Sequence, residues 1–199
     1  MLEEIDYNAA DNVIATHRMG EVLEELGVPL TGANFSETPK RFVKYLQEFM
    51  QPYNATEILK GFPVAEGFHS LVVQSRIPFR AVCAHHLVPF FGHASVGYVP
   101  TTKVVGLSKL ARLVHAVSHA SPSLQELICD TVVDDLQAIL QPSGAICVIH
   151  AEHMCMACRG VAEVGVVTST ASIRGLFKEN LALREEFYAL CQGAKNYQG

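Results

Sequence analysis

Two stretches, SLVVQSRIPFRAVC at residues 70–83 and FFGHASVGYVP at 90–100, decide how the chain is read. Both are rich in Val, Phe and Tyr and are set off by Pro and Gly, the texture of paired strands rather than of helices. Downstream the spacing turns helical. Residues 107–119 put Leu110, Leu113, Val114 and Val117 on one face, and 123–140 put Leu124, Ile128, Val132, Leu136 and Leu140 at steps of four. After the turn QPSG, the stretches AICVIHAEHMC (145–155) and GVAEVGVVTSTASI (160–173) read as two further strands, and an amphipathic helix follows over 179–192. Upstream, residues 9–27 read as a helix with Val13, Ile14, Val22, Leu23 and Leu26 on one side, stopped by Gly27-Val28-Pro29. In SETPKRFVKYLQEFM (36–50) Thr38 can cap a helix and Pro39 suits its first position, where the missing N–H costs nothing. Phe42, Val43, Leu46, Phe49 and Met50 form its apolar stripe. Long helices inserted between two strand pairs predict an α+β fold, a mostly antiparallel four-stranded sheet with helices on one face. An N-terminal helical region, 1–52, precedes a domain over 53–199.

At 199 residues, 49% of them hydrophobic and only 18% charged, the chain has more apolar surface than a small monomer hides easily, which hints at oligomerisation. The net charge of −5 gives no basic footprint for nucleic acid. No apolar run approaches the roughly 20 residues that span a bilayer. The start, MLEEIDYNAADN, is acidic and lacks a signal peptide's basic and apolar regions, so a cytoplasmic location is expected. Six cysteines in that setting read as reduced thiols, some of them metal ligands.

The chemistry gathers in CAHH (83–86) and HMCMACRG (153–160). Cys83, His86, Cys155 and Cys158 would close a Cys3His tetrahedron, a structural zinc site. The competing reading takes three ligands, Cys83, His86 and Cys155, and leaves the fourth position to water. On a strand His153 and Cys155 share a face while Cys158 points away, which favours the open site and sets a spare imidazole beside it. His85 is a second spare imidazole. Ser108, Lys109 and Arg112 lie at the start of a helix, whose free N–H groups attract anions. With Arg159 and Arg41 they compose a set of basic groups fit for a polyphosphate.

These residues resemble the GTP cyclohydrolase I family. The likeness runs from about residue 36 to 190 through TPKRFVKY, C-x-HH-L-x-PFFG, GYVP, GLSKLARLV, QE, HMCM-x-x-RGV and TS…GLF…REEF, in the family's order. It implies a tunnelling (T-fold) domain assembled into a homodecamer with sites at subunit interfaces, and zinc held by Cys83, His86 and Cys155. GTP would be the substrate: zinc-activated water attacks C8 of guanine, His153 protonates N7, formate leaves, and 7,8-dihydroneopterin triphosphate forms. By the same resemblance His85 and Ser108 serve the ribose and its proton transfers, and Gln125 with Glu126 reads the guanine edge. Lys109, Arg112, Arg159 and Arg41 take the triphosphate, Arg41 in a neighbouring subunit's site.

Two departures stand out. The family's usual C-E-H-H has Ala84 in place of Glu, and SHASPSLQEL (118–127) reaches its Q-E pair only with one inserted residue, without which Gln125 falls on the guanine-reading position. They keep two other readings in view: a divergent hydrolase that halts at a formylated or ring-opened intermediate or takes another purine nucleotide, and a non-catalytic nucleotide-binding protein with closed structural zinc. A nitrile reductase of the related fold gives the zinc ligands no role.

Overall fold

A computed structural model of the chain describes residues 13–64, 67 and 70–195. The contacts divide it into two compact units, Met1–Gln51 and Pro52–Gly199. In the first, α1 (Val13–Glu25) packs on α2 (Thr38–Gln47). The expected helix over 9–27 is thus observed from 13 to 25, its first four residues lying outside the described ones. Thr38 does not cap α2. It is already helical, Glu37 takes the cap position without a side-chain bond, and Pro39 falls in the first turn, where a missing N–H is harmless. Val43 and Phe49 are buried, whereas Phe42 is exposed.

The second unit opens with a one-turn helix, α3 (Ala55–Ile58), which Asn54 caps by accepting from the Thr56 and Glu57 N–H groups. The strand β1 (Gly61–Pro63) precedes the two strands that the opening stretches predict, β2 (Val72–Val82) and β3 (Pro89–Val99). Then come β4 (Lys103–Val105), α4 (Leu107–Ala120), α5 (Gln125–Leu140), β5 (Gly144–His153), α6 (Met154–Ala157), β6 (Val167–Gly175), α7 (Leu176–Glu179) and α8 (Leu181–Lys195). The sheet runs β2-β3-β5-β6, antiparallel throughout, while β1 and β4 form a small sheet of their own. An α+β chain with two long helices between two strand pairs is the tunnelling-fold architecture the resemblance implies.

Alternation along β5 explains the layers. Ala145, Cys147, Ile149 and Ala151 face the main core with Leu110, Leu113, Val114, Ile128, Val132 and Leu136 of α4 and α5. Ile146 and Val148 face the other way, against Phe177 and Phe187 of the C-terminal helices. Long helices cover one face, and α8 adds a smaller cluster on the opposite one. Gly97 is needed at that contact, because a Cβ there would come within 2.7 Å of the Phe187 ring.

Polar ties pin α5 to its surroundings. The Tyr53 hydroxyl donates to Asp135 at 2.8 Å. The Ser172 hydroxyl donates to Asp130 at 2.5 Å, and Arg174 reaches both Asp130 and Asp134. The Ser172 bond first, then Arg174, holds the Asp130 carboxyl below its ordinary value. A depressed folded-state value gives stability that is present above the unfolded carboxyl's titration and is lost as pH falls through the folded one. Ser172→Ala should therefore destabilise the protein at pH 7 by about 1 kcal/mol, held small by solvent at the exposed carboxylate. In thermal unfolding followed at several pH values, that deficit should shrink once Asp130 is protonated.

Candidate active site

The site is built where β2 hands over to β3. Cys83 N–H donates to Val88 O and Leu87 N–H to Cys83 O, both at 2.9 Å, folding CAHHLV into a tight turn in which Leu87 takes φ 53°. The turn is clamped from outside. Ser123 N–H donates to Val82 O at 2.9 Å and Ala84 N–H to Ser123 O at 3.0 Å, forming a parallel bridge at Cys83. Two residues after Ser123, α5 begins, so Gln125 and Glu126 are delivered beside the turn.

Cys83, His86 and Cys155 bring their ligand atoms within 4.8 Å of one another. Cys83 is buried, Cys155 half-buried and His86 exposed, which leaves the cluster open on one side. Two thiols and an imidazole are a donor set zinc prefers, and three ligands leave a fourth position. Cys158 is exposed and outside this cluster. The strand argument for that outcome is corrected, however. β5 ends at His153, and Cys155 sits in the one-turn helix α6, whose Cys158 N–H donates to Met154 O. Cys158 is the C-cap of that helix, so strand alternation places neither thiol; Cys158 is exposed there and takes no part in the cluster. Burial, then the adjacent Cys83, raises the Cys155 thiol above its ordinary value, with Arg159 acting in the opposite sense.

His153 lies flat on Phe90, ring centroids 4.5 Å apart and planes 4° from parallel, and its Nε2 is 2.8 Å from Gln125 Oε1. Burial holds this imidazole below its ordinary value, opposed by the charge of Glu126. Glu126 itself is exposed, on the first turn of α5. Gln125 is not: it is 1% exposed, and its amide nitrogen reaches Ile149 O, Thr168 O and Thr170 Oγ1, each at 3.1 Å. Its side chain faces the core. His85 is exposed, its ring 6.1 Å from that of His86, and Ala84 is exposed between the ligand and the histidines.

The remaining basic residues are elsewhere. Lys109 is half-buried and Ser108 and Arg112 exposed on the first two turns of α4. The chain path sets that helix start far from the thiols. β3 leaves the turn at Pro89 and runs to Val99, paired with Gly144 at the far end of β5, whereas Phe90 pairs with His153 at the near end. α4 then returns along β2, with His115 Nε2 2.8 Å from Pro78 O, and reaches Ser123 only after its last turn. At 1.5 Å per residue, Ser108 stands about 20 Å from the clamped turn. Arg41 is exposed on α2 of the other unit. One chain therefore groups Cys83, His86, Cys155, His153, Glu126 and Arg159 at one end, and Ser108, Lys109 and Arg112 at the other.

Phe90, Ser123, Thr168 and Thr170 were not singled out as site residues by the sequence, although Phe90 lies in PFFG, Ser123 in SHASPSLQEL and Thr168 in TS…GLF.

A family profile for GTP cyclohydrolase I matches residues 15–192. The chain belongs to the GTP cyclohydrolase I family. Among curated relatives, GTP cyclohydrolase 1 of Halalkalibacterium halodurans is 44% identical over 174 residues, spanning 86% of this chain and 92% of that one. GTP cyclohydrolase 1 of Bacillus subtilis is 41% identical over 169 residues, 83% of this chain and 88% of that one. The protein of the same name from Aquifex aeolicus is 38% identical over 171 residues, 86% and 91% respectively.

The open three-ligand geometry sets an expectation for the metal. Purified in zinc, the protein and its Cys158→Ser variant should each carry about one zinc per chain, while Cys155→Ser should lose most of it. Elemental analysis after dialysis reads all three, and loss of zinc from Cys158→Ser would restore the closed structural site.

Proposed function

We propose that this chain is a working GTP cyclohydrolase I, converting GTP to 7,8-dihydroneopterin triphosphate and formate in the cytoplasm, with catalysis in residues 53–199. The observation that carries the reading is the pairing of an open Cys83–His86–Cys155 cluster with a second, non-ligand imidazole, His153, held beside it. A purely structural metal site has no use for that imidazole. Zinc is the metal the donor set suits, and it would supply the Lewis acidity that makes water nucleophilic at neutral pH.

The chain's own residues do the rest. His153 gives a proton to N7 as the imidazole ring of the purine opens, and His85 and Ser108 move protons at the ribose. Glu126 accepts from N1–H and the 2-amino group of guanine; adenine would leave that carboxylate unpaired. Lys109, Arg112, Arg159 and Arg41 neutralise the triphosphate, Arg and Lys dividing bidentate and point-charge contacts.

The reading draws on more than one chain. About 20 Å of α4 lies between the thiol end and Ser108, Lys109 and Arg112, and with the family's oligomeric assembly this leads us to infer that a neighbour supplies those three residues. Both sheet edges, β2 and β6, offer backbone for such neighbours. Val161, Val164, Val166 and Val167 are exposed apolar groups on the approach to β6, suited to burial between copies. A decamer is the assembly we infer from the family.

Ala84 bears on the runner-up reading, a hydrolase arrested after ring opening. It is exposed and its N–H is used by the clamp, so a carboxylate there would be solvated; we therefore take the substitution as tolerated. Incubated with GTP, the zinc-loaded protein should release formate and a product that turns fluorescent on oxidation; a formylated or ring-opened product without pterin would establish the arrested reading instead. Mixed oligomers offer a second check. Lys109→Ala/Arg112→Ala chains and Cys155→Ser chains, each inactive alone, should recover activity when co-assembled, and no recovery in verified hybrids would mean that one chain builds the whole site.

A further inference from the structure

We infer that Gln125 does not read the guanine edge but is a positioning residue, which fixes His153 in one ring orientation and one tautomer, with hydrogen on Nε2 and the proton-transfer role left to Nδ1. This deepens the proposed reading and rests on it for the meaning of His153, though not for the geometry.

The Gln125 amide is buried, and three acceptors surround its nitrogen: two backbone carbonyls, Ile149 O and Thr168 O, and the Thr170 hydroxyl. Carbonyl oxygens only accept, so a flipped amide would set oxygen against oxygen twice over in a site with 1% exposure. The nitrogen is therefore fixed on that side, and Oε1 faces His153. An amide oxygen also only accepts, so at 2.8 Å the partner Nε2 must carry hydrogen. Phe90, stacked at 4.5 Å on the imidazole, fixes the plane in which that bond is made. Among the described residues no group bonds Nδ1, which is the nitrogen free to give a proton to substrate and take it back. The chain of restraint is continuous: the β5 and β6 carbonyls hold Gln125, and Gln125 holds His153.

The specificity consequence differs from that of an edge reader. A reader of guanine fails in binding and in discrimination. A residue that only orients the acid–base group fails in turnover. Gln125→Met keeps length and apolar packing but deletes both halves of the relay. It should lower kcat by about 10- to 100-fold, part of what a positioned acid–base group contributes, with KM for GTP and the preference for GTP over inosine triphosphate unchanged. Zinc content and the thermal transition, measured on the same preparation, separate this from unfolding.

The unmodified protein gives a test that needs no turnover. Neutron diffraction on zinc-loaded crystals exchanged into D2O should show deuterium on His153 Nε2, directed at Gln125 Oε1, and both amide deuterons of Gln125 on the Ile149–Thr168 side. Deuterium on Nδ1 with a bare Nε2, or a rise in KM with lost guanine preference in Gln125→Met, would overturn the inference. Absence of GTP turnover by the unmodified protein would sink the proposed function while the tautomer measurement still stood or fell on its own.

Discussion

Two backbone hydrogen bonds hold the site together. Ser123 N–H to Val82 O and Ala84 N–H to Ser123 O fasten the segment before α5 to the turn that carries Cys83 and His86. The clamp ties the first residues of α5 directly to the turn with Cys83 and His86, while the main strand contacts of that helix are with β5 and β6. The clamp is main chain on both sides, so side-chain change in this segment, including Ala84 and the SHASPS approach, is compatible with it. This is a physical reason why an altered loop can feed an intact site.

From the clamp the order propagates inward. Gln125, at the head of α5, grips β5 at Ile149 and β6 at Thr168 and Thr170, and through His153 it returns to the end of β5. His153, the proposed acid–base residue, is thus held by packed strands rather than by the exposed loops around it. His85 and His86 by contrast stand in the open turn, where ligands and substrate can reach them. Rigid support behind an accessible face is the arrangement that lets a proton be moved without loosening the fold.

Much of this was legible beforehand, for reasons that differ by element. β2 and β3 announce themselves because each is eleven residues of β-branched and aromatic texture, long enough for the pattern to show. The stripe Ile128, Val132 and Leu136 sets the phase of α5, and all three are buried. That same stripe, continued back by three, falls on Gln125; its inward facing was written in the periodicity, although the motif resemblance cast it as a reader of substrate. α6 escaped because four residues make one turn and leave no 3.6-residue period to detect. α3, β1 and β4 are equally short. The separation of the α4 cluster from the thiols is a matter of chain path, which no local pattern carries.

The proposed active site draws its metal ligands and its phosphate-binding residues from different chains. The most direct test of that arrangement is a crystal or cryo-electron microscopy structure of the zinc-loaded assembly with a GTP analogue that resists attack at C8. The purine should lie between Cys83, His86, His153 and Glu126 of one chain, with its phosphates against Lys109 and Arg112 of a neighbour. Phosphates bound to Lys109 and Arg112 of the chain that holds the purine, or a purine bound away from the thiol cluster, would contradict it.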